Sequence, residues 1–216
     1  MYVKDKMSTN LITTTKGVSI SEVIQLMGDN KKHRIPVVDD NNNLIGLLTD
    51  TTINSNTPNN SSSLSIFEIN YMLNNIKVED IMIKDVLTVN EDMLLEEAAQ
   101  IMIDHTISCL PVVNGKKLVG IITHSDIFAS FIDMLGFHQD GVRYVIHIPE
   151  DKVGVLNDIS RCFKEKNISI SHLVVDNSSR GIEVIVIATG KNANDALDIL
   201  KENNYDVVNV TKLKNA

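Results

Sequence analysis

The sequence predicts a mixed α/β (α+β) chain built from two copies of one β-α-β-β-α unit, followed by a third unit of order β-α-β-β-α-β. Three observations predict it. The first part of the chain repeats itself at an offset of roughly 75 residues, large enough for a small domain. Within each copy, apolar spacing switches between the strand and helix periods in the same order. Beyond Gly136 to Gly141 the pattern breaks and a different order begins.

The repeat is carried by matched residues. Val3-Lys4-Asp5-Lys6-Met7 aligns with Val78-Glu79-Asp80-Ile81-Met82, Thr13 with Thr88, Glu22 with Glu97, Gln25 with Gln100 and Met27 with Met102. Ile35-Pro36-Val37-Val38 aligns with Leu110-Pro111-Val112-Val113 and, after one deletion, Gly46-Leu47-Leu48-Thr49 with Gly120-Ile121-Ile122-Thr123. Each copy reads as a short strand (11–15; 86–89), an amphipathic helix, the Pro-Val-Val strand, a polar turn, a second apolar strand and a final helix. In the second copy, Leu94, Leu95, Ala98, Ala99, Met102 and Ile103 recur at helical spacing. Asn114-Gly115 is a strong hairpin signal. The units divide as 1–56 and 77–137. Residues 57–76 form a polar loop (54–63 is the most polar run) and a connecting helix over 64–76, with Ile66, Ile69, Met72 and Leu73 on one face.

The third unit occupies 142–216. Strands are expected at 143–148, 168–173, 182–187 and 206–213, helices at 155–166 and 193–203, and a turn at Ser178 to Gly181. Val155, Leu156, Ile159, Cys162 and Phe163 make one apolar helix face. The order βαββαβ is the ferredoxin-like plan.

Composition excludes several classes of function. A 216-residue chain of 43% hydrophobic residues supports packed cores. No apolar run approaches the ~20 residues of a membrane span, and Met1 to Asp5 lacks a signal-peptide apolar region. A cytoplasmic protein with no membrane partner is expected. The net charge of −8, a 4% aromatic content and the lack of Trp argue against nucleic acid as a partner. Cys109 and Cys162 sit in apolar surroundings with no CxxC partner, and read as buried thiols. The six His form no helical ligand pair, so no metal is expected.

Gly120-Ile121-Ile122-Thr123-His124-Ser125-Asp126 has two physical readings. A strand ending at a hydroxyl, where a helix begins with a carboxylate in its first turn, suits a phosphate and a ribose. Thr and Asp are equally common helix caps.

Together, the Met-starting strand of each repeat, the Pro-Val-Val strand and the terminal Gly-h-h-Thr-x-x-Asp (h apolar) resemble a tandem pair of CBS domains. Asp151-x-x-Gly154-Val155-Leu156 and Asn167-Ile168-Ser169-Ile170 resemble an ACT domain. The full order, with Ser65-Ile66-Phe67-Glu68-Ile69-Asn70 between the repeats, is similar to the acetoin-utilisation protein B family. The resemblance implies two pseudo-symmetric clefts and adenine nucleotides (AMP, ADP or ATP type) as regulatory ligands, with no cofactor required. In the first cleft it implies that Asp126 takes the ribose, that Thr123 touches phosphate, and that Leu11, Ile12 and Ile121 sandwich adenine beside Pro36. His33 and Arg34 would meet the phosphate. In the second cleft Thr52 replaces the carboxylate after Thr49. Val86, Leu87, Ile107, Ser108, Cys109 and Pro111 lie opposite and offer no cation, so this cleft is expected to be degenerate. For the third unit it implies an amino acid or small carboxylate near Gly154, Val155, Leu156 and Asn157. The other reading there is a turn glycine, a capping Asn157 and a dimerisation surface.

No Ser/His/Asp arrangement, HExxH, CxxC or Walker-type loop is present, so no enzyme is expected. The expected function is a non-catalytic ligand sensor, a homodimer that modulates an unknown metabolic partner, with acetoin or butanediol utilisation implied by the family likeness. The alternative is a structural assembly module with vestigial clefts.

Overall fold

The computed structural model describes residues 1–57, 65–150, 152–178 and 181–214. The expected Ser179-Arg180 turn, most of the polar run over 58–63, Leu64 and Asp151 lie outside the described residues. The chain divides into two compact units, residues 1–127 and 128–216.

In the first unit both repeats build the same small frame. The first contains α1 (Ile20–Asn30), β1 (Arg34–Val38), β2 (Leu44–Thr49) and α2 (Asp50–Asn56). After α3 (Ile66–Asn75) and the single turn α4 (Val78–Ile81) come α5 (Leu95–Asp104), β3 (Cys109–Asn114), β4 (Lys117–Thr123) and the start of α6 (His124–Met134). α1 starts cleanly because Ser19 and Glu22 form a capping box. Ile20, Val23 and Met27 of that helix bury against Ile35, Val37 and Leu48 of the hairpin, as the 3.6-residue and two-residue periods require. In the second repeat Leu95, Ala98 and Met102 are buried, whereas Leu94 precedes the helix and is 41% exposed, so the expected apolar face is narrower. Both hairpins carry a register shift at the matching place, Val37/Val38 and Val112/Val113. The Asn-Gly expectation holds: Asn114 pairs with Lys117 across the turn, and Gly115 takes φ +63°.

The leading strands are a correction. Residues 11–15 and 86–89 make only single parallel bridges, Thr14 to Val37 and Val89 to Val112. Thr14 N donates to Pro36 O at 3.1 Å, and Val38 N donates to Thr14 O at 2.9 Å. The next rung toward the N-terminus would need an N–H on Pro36, which proline lacks. The same holds for Pro111, whose carbonyl accepts from Val89 N at 3.1 Å. The proline that marks the repeat therefore ends the ladder and frees residues 11–12 and 86–87 from strand pairing. The Val-x-Asp-x-Met segments form helical turns, Val3–Asp5 and Val78–Ile81. Asn54 to Asn56 belong to α2 rather than to the loop.

Each leading segment crosses to the other repeat. Ser8 bridges Ile121, and Ile83 bridges Leu47. Met7 packs over Gly120 and Met82 over Gly46; a β-carbon at Gly46 would meet the Met82 sulfur at 2.5 Å. These glycines are thus spaces for the partner repeat's methionine.

The second unit contains the end of α6, then β5 (Gly141–Ile148), α7 (Val155–Glu165), β6 (Ser169–Ser178), β7 (Gly181–Thr189), α8 (Ala196–Glu202) and β8 (Asp206–Leu213). A 3-10 turn, Ala193–Asp195, precedes α8, so the second helix starts later than expected. The antiparallel sheet has the order β6-β7-β5-β8, which is the ferredoxin-like plan expected from βαββαβ. Alternate residues of β5 and β7 (Val142, Tyr144, Ile146, Val184, Val186) bury with Ile159, Cys162 and Phe163 of α7 and Ile199 and Leu200 of α8. Tyr144 and Phe163 meet edge-on at 6.0 Å. Tyr144 donates its hydroxyl to Ala193 O at 2.6 Å. Leu156, expected in this core, is 41% exposed.

Candidate ligand cleft between the repeats

A cavity of about 680 Å³ opens between the two repeats within the first unit. Its first-repeat wall is the end of the β1–β2 hairpin, with His33, Arg34, Leu47, Thr49, Asp50 and Thr51. Its second-repeat wall combines Ile83 and Asp85 to Leu87 with Thr106 to Cys109 and the His124–Ser125 pair. Val86, Leu87 and Ile107 are apolar, and the rest of the lining is mainly polar or charged.

Hairpin register sets the chemistry. Arg34 pairs directly with Thr49, and Cys109 with Thr123. Asp50 N donates to His33 O at 3.1 Å, and His124 N donates to Ser108 O at 3.2 Å, so the strand-to-helix corners match in both repeats. Arg34 then reaches across the cleft, where Nη2 donates to Ser108 Oγ at 2.6 Å. His33 Nδ1 lies 2.6 Å from Asp50 Oδ2, with both side chains largely exposed.

This placement corrects the sequence expectation. His33 and Arg34 line the cavity with Thr49, Val86, Leu87, Ile107, Ser108 and Cys109, and the cleft expected to lack a cation contains a guanidinium. Counting back from the 39–43 turn puts Arg34 opposite Leu48; the register shift at Val37/Val38 moves it opposite Thr49, so the sequence carried no signal for this placement. Asp85, which also lines the cavity, carried no recognisable signal.

The other predicted residues lie elsewhere. Leu11, Ile12 and Ile121 are half-buried and Pro36 and Pro111 buried; none of the five lines the cavity. Thr123 and Asp126 are half-buried and bind each other. Asp126 Oδ2 accepts from Thr123 N at 2.8 Å and from Thr123 Oγ1 at 2.7 Å, and Asp126 N donates back to Thr123 Oγ1 at 3.4 Å. This reciprocal pattern is a capping box at the start of α6. In the first repeat Thr49 caps α2 by accepting from Thr52 N at 3.1 Å, and the two hydroxyls lie 2.9 Å apart.

Burial pushes the Cys109 thiol above its ordinary pKa, and the nearby Arg34 charge pulls it partly back. Cys109 and Cys162 are both buried and free.

In the second unit Gly154, Val155 and Leu156 border a cavity of about 340 Å³ with Lys152, Val175 and Asn177. Gly154 is the residue before α7, at φ +95°. Asn157 is not the cap; its side chain lies 3.5 Å from Asp158 Oδ1 and outside that cavity. Among the described residues, no group of His, Cys, Asp and Glu could hold a metal ion. Among those residues, no helix is long and apolar enough to cross a membrane.

The profile of the CBS domain family matches residues 3–56 and 78–133, the two repeats. The chain belongs to the CBS domain family. A CBS domain-containing protein of Dictyostelium discoideum is 30% identical over 142 residues, covering 62% of this chain and 94% of that protein. A homoserine O-acetyltransferase of Methanohalobium evestigatum is 32% identical over 127 residues, covering 58% of this chain; the chain spans only 23% of that enzyme's length. Among solved structures, a protein assigned to acetoin utilization (AcuB) from Vibrio cholerae superposes with TM-score 0.53 at 28% identity, covering 63% of this chain and 94% of that one. The CBS pair of protein MJ0100, in complex with 5'-methylthioadenosine and S-adenosyl-L-methionine, gives TM-score 0.50 at 29% identity over 61% of this chain and 95% of that one. CBSX2 in complex with AMP gives 0.52 at 25% identity over 62% and 97%. The CBS pair thus accounts for the repeat, and these matches cover less than two thirds of the chain.

Proposed function

We propose that this chain is a non-catalytic regulatory sensor whose CBS pair binds an adenine-bearing ligand in the cleft lined by Arg34, Thr49 and Ile107. The observation that carries it is the cross-repeat bond from Arg34 to Ser108 inside a cavity of about 680 Å³. That volume lies within the usual range of roughly 300–1,000 Å³ for small-molecule sites. Val86, Leu87 and Ile107 give apolar surface for a base. Thr49 gives a hydroxyl for a ribose. Arg34 exchanges Ser108 for a phosphate, whose oxygens match the guanidinium fork. The adenine ligands of CBSX2 and MJ0100 support the ligand class.

Asp126 and Thr123, with Leu11, Ile12 and Ile121, are proposed as the pseudo-symmetric half-site, a second nucleoside position. One observation favours a structural role there instead: the Asp126 carboxylate already caps α6 through Thr123. The ferredoxin-like unit is proposed as an ACT-type domain that pairs chains into a homodimer and takes an amino acid beside Gly154. The Vibrio protein's assignment supports acetoin utilisation as the setting, and the cytoplasm is proposed as its place. Binding regulates a partner only if the ligand prefers one of two conformations.

A thermal-shift panel of AMP, ADP, ATP, 5'-methylthioadenosine and S-adenosyl-L-methionine tests the proposal. A shift with at least one, lost in Arg34→Ala, is expected. A flat panel would leave the assembly-module reading standing.

A further inference from the structure

We propose that the ferredoxin-like unit holds a separate site for a small aliphatic monocarboxylate. The site is a cavity of about 340 Å³ lined by sheet residues including Val174, Ile185 and Ile187, together with Ile132, Leu135 and Phe137 of the segment that precedes the sheet. These sheet residues alternate with the core-facing ones, so the cavity lies on the face turned away from α7 and α8. It is distinct from the cavity beside Gly154, which shares none of these residues.

Among the residues that line this cavity, Arg143 is charged. Arg143 sits on the central strand β5, paired with Ile187 on one side and Thr211 on the other. It is half-buried. It takes part in no side-chain hydrogen bond or ion pair found among the described residues. Glu183 lies on the same face of β7, four residues from Ile187, roughly 13 Å along the strand and too far for a direct pair. Ile132, Leu135 and Phe137 are 42%, 52% and 60% exposed, so apolar surface surrounds the cavity as well as lining it.

A partly buried guanidinium without a protein partner is costly, and so is apolar surface left in water. One ligand type satisfies both. A carboxylate pairs with the Arg fork in two parallel hydrogen bonds, and a short or branched alkyl tail covers the isoleucines. The volume sits at the small end of the roughly 300–1,000 Å³ range for ligand sites, which limits the tail. A dicarboxylate or phosphate would bring charge that a single cation cannot balance. An alcohol would leave the guanidinium unpaired.

Calorimetric titration of the full chain with 3-methylbutanoate and 4-methylpentanoate tests the site, with 3-methyl-1-butanol and succinate as comparisons. Saturable binding of the monocarboxylates is expected, with both comparison compounds weaker by roughly tenfold or more. Arg143→Met, which keeps apolar volume, is expected to weaken binding by roughly ten- to a hundredfold, the worth of a charge-assisted hydrogen bond. Arg143→Lys retains most of it. Val174→Phe, which fills the cavity and leaves Arg143 in place, abolishes it and serves if Arg143→Met fails to fold by circular dichroism. Nucleotide binding between the repeats is unchanged in Val174→Phe. The proposal is overturned by no saturable monocarboxylate binding, by alcohol binding as tightly as acid, or by a folded Arg143→Met or Val174→Phe that binds normally. It is also overturned if sedimentation shows that a second copy covers the face, with Leu135→Asp giving monomers.

Discussion

Arg34 donates to Ser108 across the cleft, from Nη2 to Oγ at 2.6 Å, although 74 positions separate them. The bond joins the first repeat to the second in the lining of the cavity. It also holds the guanidinium in place before a ligand arrives, so less side-chain entropy is lost on binding. Ser108 is neutral, so an incoming phosphate offers Arg34 a stronger acceptor.

Arg34→Ala therefore weakens AMP by roughly ten- to a hundredfold, while adenosine, which lacks the phosphate, changes little. Calorimetry with the two ligands reads the difference. Equal losses for both would show that Arg34 shapes the cleft without meeting phosphate.

Thr52 occupies the position in α2 that Asp126 occupies in α6. Thr52→Asp rebuilds the capping box with Thr49 and places negative charge in the helix's first turn, worth about 0.3–1 kcal/mol. The melting temperature rises. A lower melting temperature would indicate that repulsion from Asp50 outweighs the cap. Asp126→Asn removes the charge from the equivalent box and lowers stability even without ligand.

Gly46 and Gly120 are filled by the methionines of the opposite repeat. Gly46→Ala destabilises by about 1–3 kcal/mol through overpacking against Met82. In Met82→Ala the same change costs much less, giving a coupling energy in a denaturation cycle. Additive costs would refute the crossed packing.

Tyr144 is fully buried, and its hydroxyl pKa is pushed up to about 12, chiefly by burial, with Asp195 and Asp198 adding repulsion. The folded chain holds the phenol proton more tightly than the unfolded chain, whose tyrosine titrates at pH 10.0. The contribution is therefore intact below pH 10 and is lost as pH rises to about 12. The loss is on the order of 3 kcal/mol. Tyr144→Phe is less stable at neutral pH, by about 1 kcal/mol for the lost bond to Ala193, and shows a flatter alkaline decline. Parallel wild-type and mutant profiles between pH 9 and pH 12, followed by urea denaturation at each pH, would contradict this.

Much of the candidate site was legible one half at a time. Thr49 and Thr123 stand at strand ends with helices after them, because Gly-h-h-Thr carries its own turn and cap signals. Arg34 was recognised as the cation but placed in the wrong cleft. Cleft membership depends on hairpin register and on what lies across from it, and neither is a property of a motif. The leading strands failed for a related reason: residues 11–15 have strand-like composition, but Pro36, more than 20 positions later, cannot supply the N–H that their pairing needs.

Sequence alone determined the element order, the duplication and the ferredoxin-like plan, because side-chain period, caps and turn residues act over a few positions. Tertiary structure decided which residues share a cleft, why Gly46 and Gly120 must lack side chains, and where Arg143 stands without a side-chain partner among the described residues. Those facts depend on which distant segments pack together. That packing is set by the burial of whole faces, and no local stretch encodes it.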